Sequence, residues 1–376
     1  MDAFTLSAYI IATAYSFFLL MCIFFWIKEQ EYLPLKNIPS SLVTIIIAAR
    51  NEEKNILSCL EHLYLQNFPK ELFEIIVVDD DSTDTTATIV KHEIKKNNNL
   101  RLIELKKESL SGKKKAIEEG IKNSKGDLII TLDADCVMGE RWLINMVLFY
   151  EQHRPKMIIG PVSLTGGKKF IEKFQAVEYA GLMLITGATA FMKNPLMCSG
   201  ANLAYEKKAF YEVGGFEGID SKASGDDVLL LFKMKKKYPQ QIKFIKSKEA
   251  IVSSQPVNTL HDFINQRIRW SSKTTSSKNI FNIVMAFIVL CYTVFIISSL
   301  LFSIVYIKYL HIGLNLLLLK CIIDFLFLFL AVTYFKKNRF IFFFPVFQLF
   351  NTVYVIVIGC IAIFIKRYRW KERIVS

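Results

Sequence analysis

No C-x-x-C pair occurs among the seven cysteines. Cys22, Cys291, Cys321 and Cys360 lie in apolar stretches, and Cys59, Cys136 and Cys198 are scattered. An odd, unpatterned set argues against a disulfide framework and a zinc site, and fits a reducing compartment. The five histidines show no metal-ligand spacing, and no Ser or Cys nucleophile constellation is present. No G-x-x-x-x-G-K-[ST] occurs and no G-x-G-x-x-G follows a strand, which argues against the P-loop and the dinucleotide fingerprint. Negative charge is short as well: 34 acids face 47 Lys and Arg, a net +13. Such an excess suits nucleic acid, an anionic membrane surface or an anionic substrate. With 52% hydrophobic residues, 31 of them Phe, the last two are favoured and nucleic acid is not an expected partner.

What the chain has in quantity is apolar length. Mean hydropathy is +0.33, yet 22% of residues are charged, so membrane and soluble parts must be segregated along the chain. Residues 3–27, 279–307, 312–335 and 340–365 are each longer than the roughly 20 residues a helix needs to cross hydrocarbon. Residues 1–27 form an N-terminal anchor, too long for a signal-peptide core. Residues 28–278 form a soluble domain, residues 279–365 a C-terminal membrane region of about three segments, and residues 366–376 a basic tail. Expected localisation is the cell membrane, multi-pass, with the soluble domain cytoplasmic. Three spans after that domain would put the C-terminus outside, whereas Lys366, Arg367, Arg369, Lys371 and Arg373 put it inside. Residues 340–365, with Pro345, Gln348 and Asn351, are therefore a candidate for a re-entrant, split or surface-lying segment. Residues 179–192 are uncharged but short, fitting a buried helix or a helix at the membrane interface. Lys320 and Asp324, four apart inside an apolar stretch, share a helix face and are expected to pair.

Within the soluble domain, apolar runs alternate with helical spacing. Strands are expected at residues 43–48, 73–78, 100–105 and 127–132. Helices are expected at 51–66, at 84–96 (capped by Ser82 or Thr83) and at 113–122. This alternation predicts a mostly parallel α/β sheet, whose ligands bind beyond the carboxyl ends of the strands. Acids follow those ends: Asp79-Asp80-Asp81 after the second strand, Asp133-Ala134-Asp135 after the fourth. Converging carboxylates are unfavourable without a cation or donor-rich ligand. Magnesium is typically held by one or two carboxylates plus substrate phosphates, so the pattern points to a metal-bound phosphate ligand.

The motifs then fall in a known order: IIIAARNEE (45–53), VVDDDSTDTT (77–86), LDAD (132–135), SGANLAY (199–205), GGF (214–216), SGDD (224–227) and QRIRW (266–270). In this order the chain resembles membrane-bound, inverting family 2 glycosyltransferases of GT-A fold. That group includes cellulose, chitin and hyaluronan synthases, and the chain is also similar to ceramide glucosyltransferases. The resemblance implies a GT-A, Rossmann-like domain between N- and C-terminal transmembrane helices, working with Mg²⁺ or Mn²⁺. It implies a nucleotide-sugar donor, UDP-linked, and a lipid or growing glycan acceptor beside membrane lipids. Asp80 is then expected at the nucleobase, Asp133 near the nucleotide, Asp135 on the metal and Lys113 of SGKKK near the nucleotide. Where the family carries Glu-Asp, this chain carries Asp226-Asp227, and Asp227 matches the catalytic base. Gln266, Arg269 and Trp270 fall on the Q-x-x-R-W motif, whose Trp faces the acceptor and whose polar residues lie near the diphosphate. Three alternatives stay open: a processive polysaccharide synthase, a transporter with a regulatory domain, and a silent assembly partner that binds nucleotide-sugar.

Overall fold

The computed structural model describes residues 2–34, 38–105, 112–219, 225–276, 279–364, 368–370 and 373–375. Ser111 of SGKKK, Ser224 of SGDD, and Lys366, Arg367 and Lys371 of the basic tail lie outside the described residues. The chain divides into two compact units. One comprises Glu29–Thr165, Thr189–Pro256 and Arg369–Ser376; the other comprises Met1–Lys28, Gly166–Ala188 and Val257–Tyr368.

The first unit is built on a seven-stranded sheet of β1 (Val43–Ala49), β2 (Phe73–Asp79), β3 (Leu100–Glu104), β4 (Leu128–Asp133), β6 (Met157–Ile159), β8 (Leu203–Glu206) and β9 (Ile242–Phe244). Its order is β3-β2-β1-β4-β8-β6-β9. The first four strands are parallel, and β8 is antiparallel to both β4 and β6. β1 reads VTIIIAA because it is central, with covered faces on both sides. Ile45, Ile46 and Ile47 are fully buried, each worth about 1.5–3 kcal/mol of transfer free energy. Helices α2 (Ile56–Tyr64), α3 (Thr86–Ile94) and α4 (Lys113–Lys122) connect the parallel strands. The expected cap of α3 differs. Its N-cap is Thr85, while the Ser82 hydroxyl accepts from the Asn51 amide at 3.0 Å. That bond joins the loop after β2 to the loop after β1, so Ser82 serves the crossover rather than the helix.

A smaller sheet joins β5 (Val137–Met138), β10 (Val252–Ser254) and β7 (Val162–Leu164) in that order. Helices α5 (Trp142–His153), α7 (Lys207–Glu212) and α8 (Val228–Lys237) complete the unit. The strand order turns between β1 and β4, since β2 and β3 lie on one side of β1 and β4 on the other. This is the switch point where open α/β sheets bind ligands.

The other unit is helical: α1 (Ala3–Lys28), most of α6 (Phe170–Phe191), α9 (Leu260–Ser276), α10 (Ile280–Phe302), α11 (Lys308–Tyr334) and α12 (Phe344–Phe364). Four helical segments are long and apolar enough to cross a membrane: Ala3–Lys28, Ile280–Phe302, Lys308–Tyr334 and Asn338–Ile361. The last covers residues 340–361 of the 340–365 segment, and Ile365 lies outside the described residues. Residues 179–191 fall on α6, where Ala180, Met183, Leu184 and Ala188 are buried. Gly166–Ala188 and the segment from Val257 group with the apolar helices, a division that composition along the chain did not reveal.

Lys320 and Asp324 do pair, Nζ to Oδ2 at 2.5 Å. The pair is part of a larger buried network. Tyr15 of α1 donates to Asp324 Oδ1 at 2.5 Å and Gln348 of α12 donates to Oδ2 at 2.8 Å. Both carboxylate oxygens have donors, one of them a cation, which is what permits a buried carboxylate among apolar helices.

Candidate active site

The sheet register brings the first acids together. Ala49 pairs with Asp79 across β1–β2, and Ala48 pairs with Asp133 across β1–β4. The carboxyl ends of three neighbouring strands thus carry Asp79, Arg50 and Asp133 at one level. Arg50, just past β1, donates through Nη1 to the carbonyls of Asp80 and Asp81 at 2.5 and 2.8 Å. It holds the acid-rich turn against the strand end, and Asp81 sits there at a φ of 59°. Asp80 is buried and its Oδ1 accepts from the Gly112 amide at 3.0 Å. Sequence reading gave Arg50 no role, although its place directly after β1 in AARNEE was a usable signal.

Lys113 opens α4 and reaches across the switch point. Its Nζ donates to Asp133 Oδ1 at 2.5 Å and lies 3.3 Å from Asp226 Oδ2. Burial by itself would lower the ammonium, but the charges of Asp133 and Asp226 overcome it and hold Lys113 above the usual lysine value. Lys113 is therefore cationic throughout the neutral range. Lys114, by contrast, points its Nζ to the Ile219 carbonyl at 2.7 Å.

Asp226 and Asp227 are both buried and enter from the loop before α8. Gly225 before them has a φ of 86°, a conformation that favours glycine. Asp227 Oδ1 accepts from the Val228 amide at 2.7 Å, capping α8, and Oδ2 accepts from the Gly200 amide at 3.3 Å. A Cβ on Gly200 would stand 3.0 Å from Asp226 Oδ2 and 3.3 Å from Lys113 Nζ. The glycine of SGANLAY is thus the residue that lets this cluster close. Asn202 of the same motif is a structural bolt. It accepts from Trp142 Nε1 at 3.1 Å and donates to the carbonyls of Pro161 and Ala250, each at 2.9 Å.

Asp135, two residues beyond Asp133, accepts from Ser254 Oγ at 2.7 Å. Burial first, then the charges of Asp133 and Glu52, raises its carboxyl above the ordinary aspartate value. An ionised carboxylate there is electrostatically unpaid, and a cation would offset the cost. Among the described residues no group of three or more His, Cys, Asp or Glu is set to enclose an ion. Asp135, its carboxyl raised by burial and by the charge of Asp133, offers with Asp133 the oxygen donors that fit a hard divalent cation, and with oxygens of a bound ligand the two would hold it.

Asp80, Asp133, Asp135, Lys113, Asp226 and Asp227 all belong to the sheet-based unit. Gln266, Arg269 and Trp270 belong to the helical unit, on α9. There Trp270 is partly exposed and its ring lies 5.7 Å from that of Tyr179 on α6.

Residues 44–214 match the family described as glycosyl transferase family 2. Over 256 residues the chain is 25% identical to a poly-beta-1,6-N-acetyl-D-glucosamine synthase of Staphylococcus epidermidis, a match covering 66% of this chain and 59% of that protein. It is 29% identical over 171 residues to a dolichyl N-acetyl-alpha-D-glucosaminyl phosphate 3-beta-D-2,3-diacetamido-2,3-dideoxy-beta-D-glucuronosyltransferase of Methanococcus voltae, covering 46% of this chain and 50% of that one. In fold it is similar to a mannosyltransferase, PcManGT, of Pyrobaculum calidifontis, solved with GDP-Man and Mn²⁺. That likeness has a TM-score of 0.58 at 17% identity and covers 96% of this chain and 99% of that one.

Proposed function

We infer, for a chain that carries a family 2 glycosyltransferase domain, that it moves a sugar with inversion from a UDP-linked donor to a lipid or growing glycan acceptor at a membrane. The observation that carries this reading is the cluster at the switch point. Asp133 and Asp226 share Lys113, and Asp80, Asp135 and Asp227 stand on adjoining loops.

In this reading Asp80 receives the nucleobase and Asp133 and Asp135 face the diphosphate. A bound Mg²⁺ or Mn²⁺ would neutralise charge developing on the leaving diphosphate. Lys113, fixed as a cation, adds to that stabilisation from the protein side. Asp227 takes the acceptor proton as general base. Its Oδ1 accepts from the Val228 amide and its Oδ2 from the Gly200 amide, which hold the carboxylate in one orientation. Asp226, tied to Lys113, aligns the loop beside it. Inversion requires no covalent sugar–enzyme intermediate. Gln266, Arg269 and Trp270 of α9 serve the diphosphate and the acceptor. In this reading the sheet-based unit faces the cytoplasm.

A second reading, a processive polysaccharide synthase, is favoured by the Staphylococcus relative, which is named for a polymer product. Both are tested with membranes holding the full chain, incubated with radiolabelled UDP-glucose, UDP-N-acetylglucosamine or GDP-mannose. Label in extracted lipid supports single transfer, and label in a size ladder supports polymerisation. Absence of transfer from any donor, with a divalent cation present, overturns the enzyme reading.

A further inference from the structure

We propose that Arg267, a residue of QRIRW outside its Q-x-x-R-W positions, is a positioning residue that sets Gln266 and Trp270 for the acceptor. The inference rests on the transferase reading above. Arg267 is only 3% exposed, so it cannot itself face a substrate. Its guanidinium is nonetheless engaged by partners of the helical unit through all three nitrogens and against two rings. Nε donates to Glu178 Oε1 of α6 at 3.2 Å and Nη2 donates to Glu178 Oε2. Nη1 donates to Gln266 Oε1 at 2.7 Å. The plane lies over the Phe263 ring at 4.5 Å and over the Trp270 ring at 4.1 Å.

Phe263, Arg267 and Trp270 are spaced i, i+4, i+7, so one helix face presents the stack. Glu178 is fixed a third time by the Tyr354 hydroxyl of α12, which donates to Oε1 at 3.0 Å. A single forked, planar cation therefore links α6 and α12 to two side chains of the motif. Lysine, a point charge on a flexible stem, could keep the charge but not the fork with its stacking faces. The arrangement fixes the Trp270 ring plane through the cation and through Tyr179 beside it. A small misplacement of a substrate-facing group is costly to rate, and this is where Arg267 acts.

The test is a double-mutant cycle in the full-length membrane protein. Arg267→Lys, Trp270→Phe and the pair are assayed with whichever radiolabelled nucleotide sugar the wild type uses. Transfer and nucleotide-sugar binding are measured for each, the second by equilibrium dialysis. Arg267→Lys should lower transfer by about tenfold or more while donor affinity stays within about threefold. In the Trp270→Phe background the same change should cost much less, since its effect runs largely through that ring. The reciprocal swap Glu178→Arg with Arg267→Glu keeps an ion pair but moves the guanidinium off Trp270, so it should not rescue transfer. Additive effects, rescue by the swap, or loss of donor binding together with transfer would each show a purely structural role. No transfer by the wild type refutes the transferase reading and this inference together. An active wild type with an equally active Arg267→Lys refutes this inference alone.

Discussion

Lys113 donates to Asp133 at 2.5 Å, tying the first residue of α4 to the last residue of β4 across the switch point. The pair places a permanent cation in the proposed donor site. We predict that Lys113→Met raises the donor KM and lowers kcat, with kcat/KM reduced by roughly two orders of magnitude. The loss should be the same at pH 6 and pH 8, because Lys113 is held above the usual lysine value and does not titrate there. Steady-state kinetics at both pH values checks this, and an unchanged kcat/KM would remove Lys113 from the donor site.

Asp135 yields a prediction with opposite signs for stability and activity. Its carboxyl is raised by burial and by Asp133, so its ionised form disfavours the metal-free fold above the unfolded aspartate value. That cost is full above the folded value, shrinks as pH falls below it and is gone below the unfolded value, and it is also absent when the charge is removed. Asp135→Asn should therefore raise the melting temperature of the metal-free protein by about 2 °C or more while abolishing transfer. Mg²⁺ or Mn²⁺ should stabilise the wild type and not the variant, and EDTA should inhibit the wild type reversibly. A variant that melts lower, or full activity in EDTA, contradicts the assignment.

Much of this site was legible because parallel strands write their ends into the sequence. The runs at residues 43–48 and 73–78 reappear as β1 and β2, and the acids after β2 and β4 are near neighbours through Ala49–Asp79 and Ala48–Asp133 pairing. Sequence spacing carries no information about side-chain partners across loops. The Lys113–Asp226 approach and the Ser254–Asp135 bond join segments 113 and 119 residues apart, and the capping of α8 by Asp227 depends on one backbone turn. Arg267 was passed over because it occupies a variable position of a motif read by its fixed letters. The grouping of Gly166–Ala188 with the apolar helices was hidden for a related reason. α6 is amphipathic by partner rather than by charge, and Glu178 looks solvent-facing until Arg267 and Tyr354 are placed beside it.

The network on Asp324 is expected to behave as one unit. Removing one partner leaves a buried, uncompensated charge, which costs about 3–5 kcal/mol. Lys320→Met alone should therefore lower the detergent-solubilised melting temperature strongly, and Lys320→Met with Asp324→Leu should restore part of it. Transfer by surviving protein should be little affected, because none of Tyr15, Lys320, Asp324 and Gln348, the members of this network, is a proposed donor or acceptor contact. Equal destabilisation by the single and double variants would contradict the charge argument.

The tail offers a prediction about topology. Five basic residues in 366–376 follow a helix of spanning length, and each near an anionic leaflet contributes about 1 kcal/mol. We predict a cytoplasmic C-terminus. A cysteine replacing Ser376, in a background lacking the exposed Cys360, should resist impermeant maleimide in intact cells and react after permeabilisation. Labelling from outside would reverse the assignment and give three simple crossings after the soluble unit.

Asp226 and Asp227 share a loop but not their bonds, and this separates their roles. Asp227 caps α8 through Val228 and accepts from Gly200. Asn is as good an N-cap as Asp, so Asp227→Asn should keep the cap on α8 while losing the Gly200 bond and the proton acceptor. Donor binding should survive, since the residues proposed to face the nucleotide are Asp80, Asp133 and Asp135. Turnover should fall by roughly two to four orders of magnitude, the usual contribution of a positioned general base. Asp226→Asn breaks the contact with Lys113, 3.3 Å away in the wild type, and should be milder. Its expected signature is a changed donor KM with most of kcat retained. The measurement is a pH–rate series on both variants beside nucleotide-sugar binding. If Asp226→Asn is dead while Asp227→Asn turns over, the base lies one position earlier. Asp227 would then act as the helix cap that aims its neighbour.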